Sequence, residues 1–454
     1  MTTLAFVLGV LAMALGVAAS IALHEVGHLV PAKRFGVKVT QYMVGFGPTV
    51  WSRRRGETEY GVKAIPLGGY IRMIGMFPPR PGDAPGMLRA SSTGRFSQLV
   101  DEARAASLEE VKAGDEDRVF YRLSVPKKVV VMMGGPLMNL LIGVVLLTLL
   151  VTVHGLPTAQ PGAVVASVAQ CVVPATDAST TTSCAGKQPT PALAAGLRPG
   201  DRFVSIGGQP VREVTDVGRL VRPEAGHSVP VVVERDGREL TLTVTPIRNT
   251  VAQVDDQGRP VTRPDGSIAT TEAGFLGVTS SEPSAYVPQP ASAVPGILWD
   301  GVSRTAAALV DIPGRMVGVW NAAFGGAQRE IDGPMSVVGV GRVAGEASAG
   351  QLDGLTGGTV PDRLWFLVGL LAGLNLMLFV FNLVPLLPLD GGHVAGALWE
   401  GAKRQWARLR GAPDPGYVDV AKALPIAYTV AIVLIGMSAL LVYADVVNPV
   451  KLGG

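Results

Sequence analysis

His24-Glu25-Val26-Gly27-His28 follows directly on Leu4–Leu23, an apolar run without a charged side chain. On a helix the two histidines stand at i and i+4, one above the other on one face. That spacing lets two imidazoles share a metal ion, and Glu25 can then act as general base on a water. The run ahead of the motif is long enough to cross a bilayer, where ionisable groups are costly and mark function. This stretch alone predicts a spanning helix that ends in a metal site.

The composition supports a membrane protein. Of 454 residues, 48% are hydrophobic and 17% charged, far from the balance of a soluble chain. A net charge of +3 with no basic run interleaved with aromatics offers no case for nucleic acid. Four segments have the length and lack of charge of spans: Leu4–Val30, Val129–Val153, Leu364–Leu389 and Leu424–Val446. The first is a poor signal peptide, having no basic start and too long a run.

Basic residues set the expected orientation. Lys33, Arg34, Lys38, Arg53, Arg54, Arg55, Lys63, Lys127 and Lys128 lie between spans one and two. Lys403, Arg404, Arg408, Arg410 and Lys422 lie between spans three and four. The flanks of 156–363 are nearly bare of positive charge, Arg363 excepted. Both termini and 156–363 are therefore expected outside a plasma or inner membrane, with the two basic loops in the cytoplasm.

Between the spans, residues 31–79 alternate in short runs around Gly45-Phe46-Gly47-Pro48, a charged turn at Arg53–Thr58, and Ile65-Pro66-Leu67-Gly68-Gly69-Tyr70. They predict a membrane-associated β-hairpin. Residues 80–128 read as a polar, loosely ordered cytoplasmic insertion with a short helix near 96–112. Strands at Val164–Val168, Phe203–Ile206, Val229–Glu234 and Glu239–Val244 and a short helix at Ala192–Leu197 predict a small α+β domain over 156–248, its last hairpin turning at Asp236-Gly237. The string Ala195–Gly208 resembles the PDZ domains of bacterial envelope proteases, which bind extended segments at a sheet edge. Residues 249–292 read as a linker or hairpin, and 293–360 as amphipathic helices at the outer surface. Cys171 and Cys184, the only cysteines, fall in the domain that topology makes oxidising, and are expected to form a disulfide.

Two histidines leave a zinc ion short of a third ligand. Of the other three, His154 and His227 lie on the far side by the topology above. The cytoplasmic end of span three carries Asn382-Leu383-Val384-Pro385-Leu386-Leu387-Pro388-Leu389-Asp390-Gly391-Gly392-His393. Asp390, between helix-breaking prolines and two glycines, is the preferred third ligand, with His393 the runner-up. A helix over Val394–Gln405 follows, and Asp390 as its N-cap is the competing reading.

The pair of motifs, HEVGH in span one and NLVPLLPLDGG in span three, closely resembles the intramembrane site-2 protease family. Gly45–Pro48, Pro66–Tyr70, Gly134-Gly135-Pro136-Leu137-Met138-Asn139 and Gly333-Pro334-Met335-Ser336 resemble it in the same order. The resemblance implies a polytopic α-helical fold of about four spans (1–30, 129–155, 361–390, 424–447) with a membrane-associated hairpin and an inserted PDZ-like α+β domain, the loop 391–423 lying in the cytoplasm. It implies a zinc metalloprotease in which His24, His28 and Asp390 hold Zn²⁺ and Glu25 activates water. It implies that Asn382 and the strand residues Gly61, Val62, Ala64 and Ile65 hold the substrate as an added strand. The substrates implied are single-span membrane proteins such as anti-sigma factors or remnant signal peptides, cut after an upstream site-1-type protease has acted. A non-proteolytic scaffold with a vestigial metal site is the competing class, and Glu25 speaks against it.

Overall fold

A computed structural model describes residues 2–79, 107, 109–174, 184–255, 259–263 and 267–452. The chain divides into two compact units, Met1–His154 with Gln289–Gly454, and Gly155–Pro288. The first unit opens with α1 (Thr2–Arg34), β1 (Val39–Arg55), β2 (Thr58–Met73) and α2 (Val125–Leu149). The second holds β3 (Leu156–Ala159), β4 (Ala163–Val168), α3 (Pro191–Ala194), β5 (Arg202–Ile206), β6 (Gln209–Pro210), α4 (Val214–Val221), β7 (Val229–Arg235), β8 (Arg238–Val244), β9 (Ile247–Ala252), β10 (Thr270–Phe275), β11 (Val278–Ser281) and β12 (Ser284–Val287). The first unit resumes with α5 (Val294–Val310), α6 (Ile312–Phe324), α7 (Val337–Ser348), α8 (Asp353–Thr356), α9 (Val360–Asn382), α10 (Asp390–Leu409) and α11 (Leu424–Val447).

Among the described residues, four helices are long and apolar enough to cross a membrane: Thr2–Arg34, Val125–His154, Val360–Asn382 and Val420–Val447. The third stops at Asn382, before the expected 390. Pro385 and Pro388 lack the N–H a helix needs and push their predecessors out of helical geometry. A new helix then starts at Asp390 rather than at Val394.

Helices α1 and α2 cross with their backbones touching. A Cβ placed on Gly134 would stand 1.9 Å from the Gly27 carbonyl oxygen, and one on Gly27 would stand 2.2 Å from that of Gly134. Small residues let membrane helices approach this closely. Helix α9 joins α1 through a buried hydrogen bond from Asn375 Nδ2 to Ser20 Oγ, 3.0 Å.

The predicted hairpin is a folded-over sheet. Residues 41–44 of β1 pair with 59–62 of β2 and also with 69–72, while 51–55 pair only with 58–62. Gly45 makes the fold-back possible: its φ is +94°, and a Cβ there would meet the Ile65 carbonyl oxygen at 2.7 Å. Tyr42 Oη donates to the Ala22 carbonyl, 2.8 Å, tying the sheet to α1. The helix expected near 96–112 lies largely outside the described residues. The end of the supposed loose insertion is firmly packed, because Val119 and Phe120 are buried and backbone hydrogen bonds join Lys38 to Arg118 and Phe120 to Ile74.

In the second unit, β11-β4-β5-β7-β8 form the sheet, with β6 paired to β5. Its core includes Val165, Phe203, Ile206, Val217, Val231 and Val233. Asp236 and Gly237, both at positive φ (52° and 72°), make the tight turn between β7 and β8. Cys171 and Cys184 are bridged. Of the two readings of 249–292 the hairpin is the one observed: β9 and β10 pair antiparallel, and β11 is the edge strand of the main sheet.

Of the helices expected to be amphipathic, α5 and α6 expose Trp299, Val310, Val317, Trp320 and Phe324. Helix α7 instead buries Val343, Ala344 and Ala347 in the bundle.

Candidate metal centre

His24 and His28 occupy consecutive turns of α1, and Asp390 is the first residue of α10. Among the described residues they are the one group of three or more His, Cys, Asp or Glu donors able to meet at a metal ion. The two Nε2 atoms are 3.2 Å apart, and each is 3.3 Å from Asp390 Oδ2. Tetrahedral zinc with bonds of about 2.0–2.1 Å needs donor atoms separated by about 3.3–3.4 Å. The triangle therefore has the right size.

Its protonation also suits a cation. His28 Nδ1 is 2.8 Å from the Val131 carbonyl oxygen, which calls for a proton on Nδ1 and leaves the lone pair on Nε2. Asp390 Oδ2 is buried without a hydrogen-bond partner. The His28 Nε2 lone pair and the Asp390 carboxylate thus face one another, an arrangement that a bound cation relieves. The N-cap of this helix is Leu389 and Asp390 is its first residue, so Asp390 is not the N-cap of a helix starting at Val394. His393, one turn further along α10, lies outside the donor group.

Gly135 walls the site. A Cβ on Gly135 would stand 2.2 Å from His28 Nε2 and 2.6 Å from His24 Nε2. Glu25 is 8% exposed and lies beside the metal cluster rather than in it. Its Cγ would be 3.0 Å from a Cβ on Gly69, and its carboxyl reaches the backbone of Ile71.

The chain matches Peptidase family M50 over residues 12–413. The chain belongs to that family. Among curated relatives, the zinc metalloprotease Rip1 of Mycobacterium tuberculosis is 37% identical over 455 residues, covering 98% of this chain and 99% of the relative. Rip1 of Mycolicibacterium smegmatis is 34% identical over 459 residues at the same coverage. The zinc metalloprotease RasP of Geobacillus kaustophilus is 25% identical over 427 residues, covering 82% and 84%. The resemblance to site-2 proteases read from the motifs is thereby shown, and the chain is an M50 peptidase with the helices of a multi-pass membrane protein.

Within this M50 peptidase the expected substrate residues are scattered differently from the metal group. Gly61 pairs with Met43 on one side and Ser52 on the other, and Val62 with Val44 and Trp51. Both are interior to the sheet, so neither offers a free edge. Ile65 pairs with Phe46. Ala64 is exposed. Asn382 Nδ2 donates to the Leu378 carbonyl of its own helix, 3.0 Å. The strand beside Glu25 is 69–72, paired on one side only among the described residues. Val131 and Gly135 were not singled out by residue chemistry, since neither carries a reactive side chain. Paired glycines within a span were the available signal, because they mark close helix approach.

Proposed function

We propose that the protein is a zinc-dependent intramembrane endopeptidase that cuts single-span membrane proteins, anti-sigma-factor-like proteins or remnant signal peptides among them, in regulated intramembrane proteolysis. The observation that carries this reading is the 3.2–3.3 Å triangle of His24, His28 and Asp390 with Glu25 buried next to it. These three residues would hold zinc, which when bound acts as a Lewis acid toward water and the scissile carbonyl. Glu25 takes the proton from the attacking water and returns it to the leaving amine. The Val131 carbonyl orients the His28 ring, and Gly135 leaves room for both imidazoles.

A helical substrate keeps its carbonyls hydrogen-bonded internally, so cleavage requires an extended segment with a new backbone partner. The single-sided strand 69–72, beside Glu25, is the best-placed partner, in place of 61–65. Basic residues between the first two and last two spans support an active site near the cytoplasmic side and residues 155–288 outside. That unit's sheet and its Ala195–Gly208 string support a PDZ-like role in admitting substrates already shortened by a site-1-type protease.

The test is metal analysis and cleavage of a membrane-spanning substrate by four variants. Glu25→Gln is expected to keep zinc and lose about 10²–10⁴-fold in rate. His24→Ala and Asp390→Ala lose both, and His393→Ala keeps its zinc. Near-normal cleavage by Glu25→Gln defeats the enzyme reading. Zinc loss in His393→Ala with retention in Asp390→Ala defeats only the ligand assignment.

A further inference from the structure

Helix α10, which begins with Asp390, carries a buried carboxylate that the chemistry does not use. Glu400 is 2% exposed and receives both contacts of Lys128 Nζ, at 2.8 and 3.0 Å. Lys128 is 5% exposed. Arg404 reaches Glu400 from the next turn, 3.1 Å, and the Val418 N–H donates to it, 3.2 Å. The Tyr417 ring lies against both cations, 5.0 Å from Lys128 Nζ and 5.1 Å from the Arg404 guanidinium. Tyr121 meets that ring edge-on at 5.3 Å. Next along α10, a Cβ on Gly401 would be 3.2 Å from Val125 at the start of α2.

Lys128 lies one turn before Val131, whose carbonyl holds the His28 ring. The first turns of α2 thus grip two things at once: the imidazole through Val131, and the Asp390 helix through Lys128. Asp390 otherwise sits on a segment joined to α9 by the seven residues 383–389, two of them prolines. The joint itself is tight, since a Cβ on Gly391 would stand 2.3 Å from the Val384 carbonyl oxygen, but it fixes where α10 begins rather than how the length of α10 lies against α2. A buried ion pair is a weak source of net stability but a good source of register, since its geometry is satisfied in only one arrangement.

We infer that Lys128 and Glu400 are positioning residues for the metal centre: their pair sets where Asp390 stands relative to His24 and His28. The inference rests on the reading of those three residues as the zinc ligands. Partners behind a ligand typically change metal affinity by about 10–100-fold, and that is the expected loss in Glu400→Gln and in Lys128→Met. The double variant Lys128→Met/Glu400→Gln, which removes both buried charges and keeps an acceptor for Arg404 and the Val418 N–H, is expected to recover most of the affinity.

The experiment uses the full-length protein in detergent or nanodiscs. It measures the zinc dissociation constant by competition with a chelator, the visible spectrum with cobalt(II) in place of zinc, and hydrogen exchange of residues 390–409 in metal-free protein. The expected result is weakened zinc, an altered cobalt spectrum and faster exchange in both single variants, each reversed in the double variant. A lowered melting temperature with unchanged zinc affinity, cobalt spectrum and α10 exchange would overturn the inference, since it would mark the pair as merely structural. If Asp390→Ala binds zinc like the wild type, the ligand assignment fails instead; the metal-free exchange data still report whether the pair holds α10.

Discussion

Gly135 of α2 lies against the ring of His28 so closely that a single added carbon would stand 2.2 Å from its Nε2. The nitrogen of α1 that would face a metal therefore has its space from an absence of side chain on its neighbour. Gly134 and Gly27, with their own backbones in contact, bring the two helices to the distance at which this happens.

Gly135→Ala is accordingly expected to cost zinc. No real Cβ tolerates 2.2 Å, so the imidazole or the helix must move, and affinity should fall at least about 10–100-fold. Gly143→Ala on the same helix is the control. Its Cβ would meet the end of the Leu376 side chain at 2.9 Å, which can rotate away. Zinc content of the two purified variants decides; equal zinc in both would contradict the packing argument.

The sheet makes a second prediction. If substrate adds to 69–72, Gly69→Ala intrudes on Glu25 Cγ (3.0 Å) and Ile21 Cγ2 (3.1 Å), and Ile71→Pro removes a backbone N–H beside Glu25. Misplacement of this order costs roughly 10²-fold in rate, with zinc unchanged. Val62→Ala, on a strand already paired on both sides, should cleave nearly normally. A rate loss in Val62→Ala and none in Gly69→Ala would return the substrate to the interior strand.

Acid should loosen the second unit through Asp201. Burial alone would raise its pKa, but the Arg235 guanidinium (2.6 and 2.7 Å) and the Arg198 N–H (2.8 Å) outweigh that and hold it below the usual carboxylate range. A lowered folded pKa means the pair stabilises fully above the unfolded value of about 3.9, and that the contribution is lost as pH falls through the folded value. Melting of a 155–288 fragment should drop more steeply between about pH 5 and about pH 2 in the wild type than in Asp201→Asn. Parallel curves would show that the pair contributes nothing.

At the far end of α11, Asp445 and Arg329 form a second buried pair, 3.0 Å apart, and Asp445 Oδ2 also accepts from the Ser336 N–H, 2.6 Å. Asp445→Ala strands the guanidinium and should destabilise by about 3–5 kcal/mol. The loss is measured as a fall in melting temperature in detergent. A shift no larger than that of an exposed control such as Val433→Ala would refute the buried-pair account.

Much of this was legible in residue order. Spans follow from composition, because a bilayer accepts only long uncharged helices. The i, i+4 histidines follow from helical geometry, and the strands of 156–248 from alternation and the Asp236-Gly237 turn. Those features are local, and each is decided within one turn or one strand. Asp390 could be preferred over His393 from its prolines and glycines alone. Only tertiary structure could place its Oδ2 3.3 Å from two nitrogens of another helix. The folded-over sheet was likewise invisible. Whether Gly61 or Gly69 is the free edge depends on which strands lie beside it, and pairing is a long-range choice that a strand's own residues do not specify. Glu400 and Lys128, 272 positions apart, read in sequence as two ordinary charges; burial against each other is what gives them a task. The sequence alone determined the elements and the chemistry; the contacts between elements decided the geometry, because register and burial arise only when distant segments exclude water together.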